Sequence, residues 1–296
     1  KFKSNAGREA VKGYLFISPW LLGLLAFQAI PLVMVFYFSF TKYSVLSDPE
    51  WIGLSNYIKI FTKDDLFLKS IWNTVYIVAL SVPLRLIIAF IMALLLNQKV
   101  RGLGIFRTIY YLPMIVPIAA TAVLFEWMFQ PRYGVINFFI TGVGLPAVNW
   151  LATTAWSKPS IVIVSIWRIG EAVVLFLAGL QGISQELYEA AEVDGAKSMA
   201  KLFKITIPLI TPTILLQVII EVIHIFQSFV WSFSMTEGGP LNSSLTYVLY
   251  IYRKAFQHFQ MGYASALSVL LFILVLLFTA LIFRTSNRWV YSEVEK

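Results

Sequence analysis

Glu189-Ala190-Ala191-Glu192-Val193-Asp194-Gly195-Ala196, running on through Lys197, Lys201 and Lys204 to Ile207-Pro208, is a polar interruption between two long apolar segments. Its alanines, with Glu189 and Leu202, favour helix, while Asp194-Gly195 breaks it, because glycine accepts backbone angles closed to other residues. The stretch reads as helix, turn, helix, lying outside the membrane. By composition alone it is also compatible with an ordinary connecting loop, since Glu, Ala, Lys and an Asp-Gly turn are common in such places.

Working outward, the chain of 296 residues is 59% hydrophobic and 13% charged, with a mean hydropathy of +0.78. That charged fraction is about half of what a water-exposed surface carries, so most of the chain is expected to face lipid. The absence of cysteine excludes disulfide scaffolds, thiolate metal sites and a thiol nucleophile. The net charge of +8 is no sign of nucleic acid, because the cations gather at the ends of apolar runs, where they set orientation in a membrane. The start, Lys1-Phe2-Lys3, lacks a methionine and reads as trimmed.

Six membrane helices are predicted, at about 14–40, 71–96, 105–129, 159–183, 207–233 and 263–283, all in a single transmembrane domain over 1–296. The first run is too long for a signal peptide's apolar core, and Pro31 is expected to kink it. Lys1, Lys3, Arg8 and Lys12 precede it; Lys99, Arg101 and Arg107 mark the second turn; Arg284 and Arg288 follow the last helix. Placing these clusters in the cytoplasm puts both termini inside and leaves the 184–206 loop inside without further assumption. The mixed-charge segment Lys42 to Lys69 and the stretch Gln130 to Lys158 fall outside, and the aromatic segment Leu241 to Met261 is expected to lie at the outer interface.

The order E-A-A-x-x-D-G-A, followed by Phe203, Ile205, Ile207 and Pro208, resembles the cytoplasmic EAA loop of the membrane permeases of ATP-binding-cassette importers. Gly53-Leu54-Ser55-Asn56-Tyr57, Asn73-Thr74, Tyr111-Leu112-Pro113, Asn149-Trp150-Leu151 and Thr236-x-Gly238-Gly239-Pro240 are similar to stretches of the sugar-importing branch. Singly, each has a plain mechanical reading as a turn or helix cap. In series they span nearly the whole chain.

The resemblance implies an all-α, six-helix type I permease in a bacterial cytoplasmic (inner) membrane. It implies a second homologous permease chain, as a heterodimer, two ATPase subunits that use ATP and Mg, an extracytoplasmic sugar-binding protein and an oligosaccharide substrate. Glu189, Ala190, Ala191, Asp194, Gly195 and Ala196 would then dock the ATPase, with Gly195 as the turn. This chain itself would bind no cofactor, metal or nucleic acid and catalyse nothing.

Charges in mid-membrane are functional candidates because each costs roughly 2.5 to 3.5 kcal/mol to insert. Arg168 and Glu171 fall near the middle of the fourth helix, and Arg85 within the second. Glu221, His224 and Ser228 share one face of the fifth, with Gln227 and Trp231 beside it. With Trp167 these residues offer the hydrogen bonds and aromatic faces that sugars need, and they are predicted to line the substrate pathway. Cations at Arg85, Arg168 and His224 would suit an acidic oligosaccharide, against which the two glutamates argue. The competing structural reading pairs Arg168 with Glu171 and Glu221 with His224, merely neutralising each charge, and lets Arg85 meet Glu171 or Glu221 across the bundle.

No G-x-x-x-x-G-K-[ST], H-E-x-x-H or G-x-S-x-G occurs, and the two histidines, His224 and His258, are far apart. An enzyme reading therefore has no residues to rest on. The alternative from another class is a proton-coupled secondary transporter using Glu171, Glu221 and His224 as a relay. It leaves the EAA stretch unexplained and calls for internal repeats, of which none is found.

Overall fold

The computed structural model describes residues 2–98 and 102–291 and is mostly helical. Lys1, Lys99 and Arg101, three of the cations used for orientation, lie outside the described residues. The chain forms two compact units: residues up to Asp64 with Ile251–Ile273, and Asp65–Tyr250 with the chain from Leu274 on.

The first unit begins with α1 (Phe2–Leu24), a π-helical turn at Leu25–Ala29 and α2 (Ile30–Ser39). Pro31 stands in the first turn of α2, where its missing N–H leaves no bond unmade. The irregularity expected there is thus a π turn just upstream. A hairpin follows, β1 (Thr41–Ser44) antiparallel to β2 (Ser47–Trp51), with Thr41 opposite Trp51 and Lys42 opposite Glu50. Helix α3 (Ser55–Lys63) turns Asn56 and Ile60 inward. The Asn56 amide donates to the carbonyls of Ser39 and Thr41, both at 2.9 Å, and Tyr57 bonds the Ser39 hydroxyl at 2.8 Å. The Gly53 to Tyr57 stretch is therefore a joint that ties α3 to the end of α2.

The second unit is built around α4 (Asp65–Leu96). Chain order continues with α5 (Leu103–Ile115), α6 (Ile118–Met128), α7 (Val135–Gly142), α8 (Ser157–Ile166) and α9 (Gly170–Gln181). Then come α10 (Gln185–Val193), α11 (Ser198–Lys201), α12 (Ile207–Phe226) and α13 (Val230–Thr236). Helix α14 (Tyr247–Tyr252) precedes α15 (Met261–Ser286), whose residues divide between the two units. Helices α8, α9 and α12 pack on α4, where fully buried Ser81, Ala89 and Ala93 allow close approach. Gly170 permits the same between α9 and α5: a Cβ there would stand 2.8 Å from the Tyr110 carbonyl oxygen.

Among the described residues four helical stretches are long and apolar enough to cross a membrane: Gly7–Ser39, Asp65–Leu96, Ser198–Phe226 and Met261–Ser286. Two bent pairs bring the number to six if each counts as one span. The continuous helix predicted over 105–129 is instead broken, its halves meeting at 98°. The cause is Pro117, which lacks an N–H and pushes Val116 into extended backbone at φ −70, ψ 130. The helix predicted over 159–183 bends by 46° between Ile166 and Gly170. The one predicted over 207–233 stops at Phe226 and resumes at Val230, while at its other end it extends back through a π turn at Leu202–Thr206 to Ser198.

The aromatic segment Leu241 to Met261 sends much of its first half into the core. Leu245, Tyr247, Leu249 and Tyr250 are each at most 2% exposed.

Candidate functional site

Both bent pairs break in an apolar setting, and a broken helix leaves carbonyl oxygens without their usual partners. In a membrane such groups are tolerated only where something else bonds them. Two arginines do so here. Arg168, just beyond the end of α8, sends its guanidinium to the carbonyls of Pro113 (2.9 Å), Met114 (3.2 Å) and Val116 (2.6 Å), at the open end of α5. Arg85 of α4 donates to the carbonyls of Ser165 and Arg168, at the open end of α8. The negative end of each helix dipole thus meets a cation, which is where a cation is most stabilising.

Arg85 has a second engagement. Its Nε lies 2.8 Å from Glu221 Oε2, and its Nη2 donates to Oε1 at 2.9 Å. The two side chains are only 14% and 6% exposed. Of these two contacts only the one from Nη2 to Oε1 has hydrogen-bond geometry, and with the bonds to Ser165 and Arg168 it joins α4, α8 and α12 at one point. Arg168 does not pair with Glu171, nor Glu221 with His224. The helix-local pairing considered above is displaced because broken backbone and a partner across the bundle make better use of each charge.

Around this clamp lies a cavity of about 460 Å³. Arg85, Arg168, Glu171, Glu221, His224, Gln227, Ser228 and Trp231 line it, together with Met114, Ile118 and Ser165. Eight of the nine predicted pathway residues thus meet at one place. The ninth, Trp167, is not among the residues lining it: it is half exposed, with its ring 5.7 Å from that of Phe125. Ser228 lies beyond the end of α12, so it reaches the cavity from the connection to α13 and not from a shared helical face. Glu171, His224 and Gln227 are exposed, and among the described residues no side-chain hydrogen bond or ion pair engages them. Glu171 also sits in the first turn of α9, where the helix dipole favours an acid.

The EAA stretch forms α10 and its turn. Ser184 caps the helix, accepting from the Glu186 N–H. At the other end the Ala196 N–H bonds the Ala191 carbonyl (2.8 Å) and the Gly195 N–H bonds that of Glu192 (3.0 Å). This paired closure requires a left-handed residue, supplied by Gly195 at φ +75. Tyr188 bonds Thr206 at 2.9 Å and Lys201 bonds Glu192 at 2.6 Å, so the turn is tied to the start of the next span. Helix α10 buries no residue, and Leu187, Val193, Met199 and Phe203 are exposed. Glu189, Ala190, Asp194 and Gly195 are exposed too, and Ala191 and Ala196 half-buried.

Other motifs prove to be joints. Asn73 donates to the Asn242 and Leu245 carbonyls at 3.0 and 3.1 Å, and Thr74 accepts from the Tyr247 N–H at 2.8 Å. Thr236 and Ser244 share a hydrogen bond of 2.7 Å across the Gly238-Gly239-Pro240 turn, and the Trp150 indole donates to Asn137 at 3.0 Å. Sequence reasoning missed Met114 and Ser165. Their contribution is partly backbone, for which Pro117 was the available signal.

The arrangement defines a class: a multi-pass membrane protein whose broken helices surround a polar cavity and which exposes one ordered helix and turn. Residues 85–292 match the family of binding-protein-dependent transport system inner membrane components, and the chain belongs to that family. It is a permease subunit of an ABC importer. It is 38% identical over 290 residues to the probable ABC transporter permease protein YesP of Bacillus subtilis, covering 97% of this chain and 94% of the relative. Identity to the trehalose/maltose transport system permease protein MalF of Thermococcus litoralis is 34% over 277 residues, 92% of each. A solved bacterial alginate ABC transporter, in complex with its alginate pentasaccharide-bound periplasmic protein, superposes on 96% of both chains with a TM-score of 0.84 at 25% identity.

Proposed function

We propose that this permease carries a sugar or oligosaccharide, driven by ATP that other subunits hydrolyse. The observation that carries the reading is the cavity: Glu171, His224 and Gln227, unpaired among the described residues, beside Ser228 and the Trp231 ring, in a wall where two arginines bond the broken ends of α5 and α8. Hydroxyl groups donate to a carboxylate and accept from an amide or imidazole, and an aromatic ring covers the apolar face of a pyranose. The names of the trehalose/maltose and alginate relatives agree with that chemistry.

In this reading the chain supplies one half of the pathway and a second, homologous permease the other. Glu189, Ala190, Ala191, Asp194, Gly195 and Ala196 dock one of two ATPase subunits, which bind ATP and Mg. This chain holds neither and is not catalytic. An extracytoplasmic binding protein delivers the sugar, as a periplasmic protein bearing a saccharide does in the alginate complex. The chain crosses a bacterial cytoplasmic membrane six times, with both termini and α10 in the cytoplasm.

The test is purification of the chain in mild detergent with the products of neighbouring genes, followed by ATPase assays with and without binding protein and oligosaccharides. A second permease and an ATPase stimulated by loaded binding protein are expected. A lone chain that takes up substrate in ATP-free vesicles would overturn the reading.

A further inference from the structure

We infer that this chain's side of the pathway is built for an uncharged saccharide, and that Glu171 is the residue that discriminates against uronates. The inference rests on the sugar reading above and narrows its substrate class. The titratable side chains of the cavity wall are two arginines, Arg85 and Arg168, two glutamates, Glu171 and Glu221, and one imidazole, His224. They differ in availability. Arg85 gives its nitrogens to Glu221 and to two carbonyls, and Glu221 is buried in that pair. Arg168 faces three carbonyl oxygens, so an anion approaching it meets the negative end of α5. Glu171 alone is an exposed charge with no described partner.

A sugar hydroxyl donates to the Glu171 carboxylate without changing the charge of the wall. A uronate carboxylate brings a second anion beside Glu171, while the two arginines of the wall are already engaged, Arg85 with Glu221 and both with carbonyl oxygens. Gln227 and His224 supply the remaining polarity in forms that suit hydroxyls. The alginate of the solved relative is an acidic polysaccharide, so the two permeases are expected to differ in selectivity at this point.

The experiment uses the whole transporter in vesicles, with neutral and galacturonate oligosaccharides of equal length, each supplied at a concentration that saturates the binding protein. ATP-driven uptake of the neutral oligomer is expected to exceed that of the uronate by about tenfold, the factor given by 1.4 kcal/mol. In Glu171→Gln the ratio should fall severalfold through faster uronate uptake. Equal or greater uronate uptake by the unaltered transporter overturns the inference while leaving the sugar reading intact, and so does a ratio that Glu171→Gln does not move. Uptake of neither oligomer, with ATPase still stimulated by another class of solute, sinks the sugar reading itself and this inference with it.

Discussion

Two ion pairs in this chain differ in almost every physical respect. Arg85 and Glu221 meet in the bundle with side chains 14% and 6% exposed, whereas Lys201 and Glu192 meet beside the Gly195 turn with 19% and 64% exposed. The first pair closes on two atoms of each partner and also bonds loose backbone. The second is a single contact, rinsed by water and screened by salt. Similar lengths, 2.8 and 2.6 Å, therefore conceal unequal consequences. Buried charge makes the bundle depend on its partner, while the turn depends on the shape of its backbone.

The largest effect should come from dividing the buried pair. Glu221→Leu leaves Arg85 charged and unanswered, at a cost of about 3–5 kcal/mol, read as a lowered melting temperature and loss of monodisperse protein in detergent. The double variant Arg85→Met with Glu221→Leu should recover part of that loss, the remainder being the Ser165 and Arg168 carbonyls left without their donor, and no recovery at all would show that the pair is not the source. Next, Arg168→Met should cost about 2–3 kcal/mol by leaving the three carbonyls of α5 unanswered. An unchanged melt together with unchanged uptake would break the account of Arg168 as a helix-end cap.

Gly195→Pro acts at the exposed turn, where the left-handed φ of 75 is lost at about 1–2 kcal/mol, confined to α10. The bundle should melt almost as before, yet ATPase stimulation by loaded binding protein should vanish; normal coupling would show that the turn is not where the ATPase docks. Glu189→Lys should act likewise. The smallest effect is expected from Lys201→Ala, under about 1 kcal/mol and shrinking further as salt is raised. A loss comparable to that of Glu221→Leu would erase the contrast between the two pairs.

The same contrast explains what was legible in the sequence. Ser184, Ala191, Glu192, Gly195 and Ala196 make their bonds to near neighbours, so the turn could be read from the order of residues. Arg85 and Glu221 stand 136 positions apart, and the sequence offered Arg85 a choice of two acids with nothing to decide between them. For Arg168 the sequence displays side chains only, so the competing structural reading could offer it no partner but Glu171. Its real partners are carbonyls of Pro113, Met114 and Val116, which exist as free acceptors only because Pro117 breaks the helix.

The helix from Ser198 to Phe226 has the Gly195 turn at one end and Glu221 near the other. At 1.5 Å per residue, Ser198 and Glu221 are about 35 Å apart along its axis. Pivoted near Ser198, a rod of that length carries Glu221 through about 3 Å for a tilt of about 5°. That displacement is comparable with the span of the contact to Arg85. By that geometry, a rotation hardly visible at the turn would be large enough to part Glu221 from Arg85.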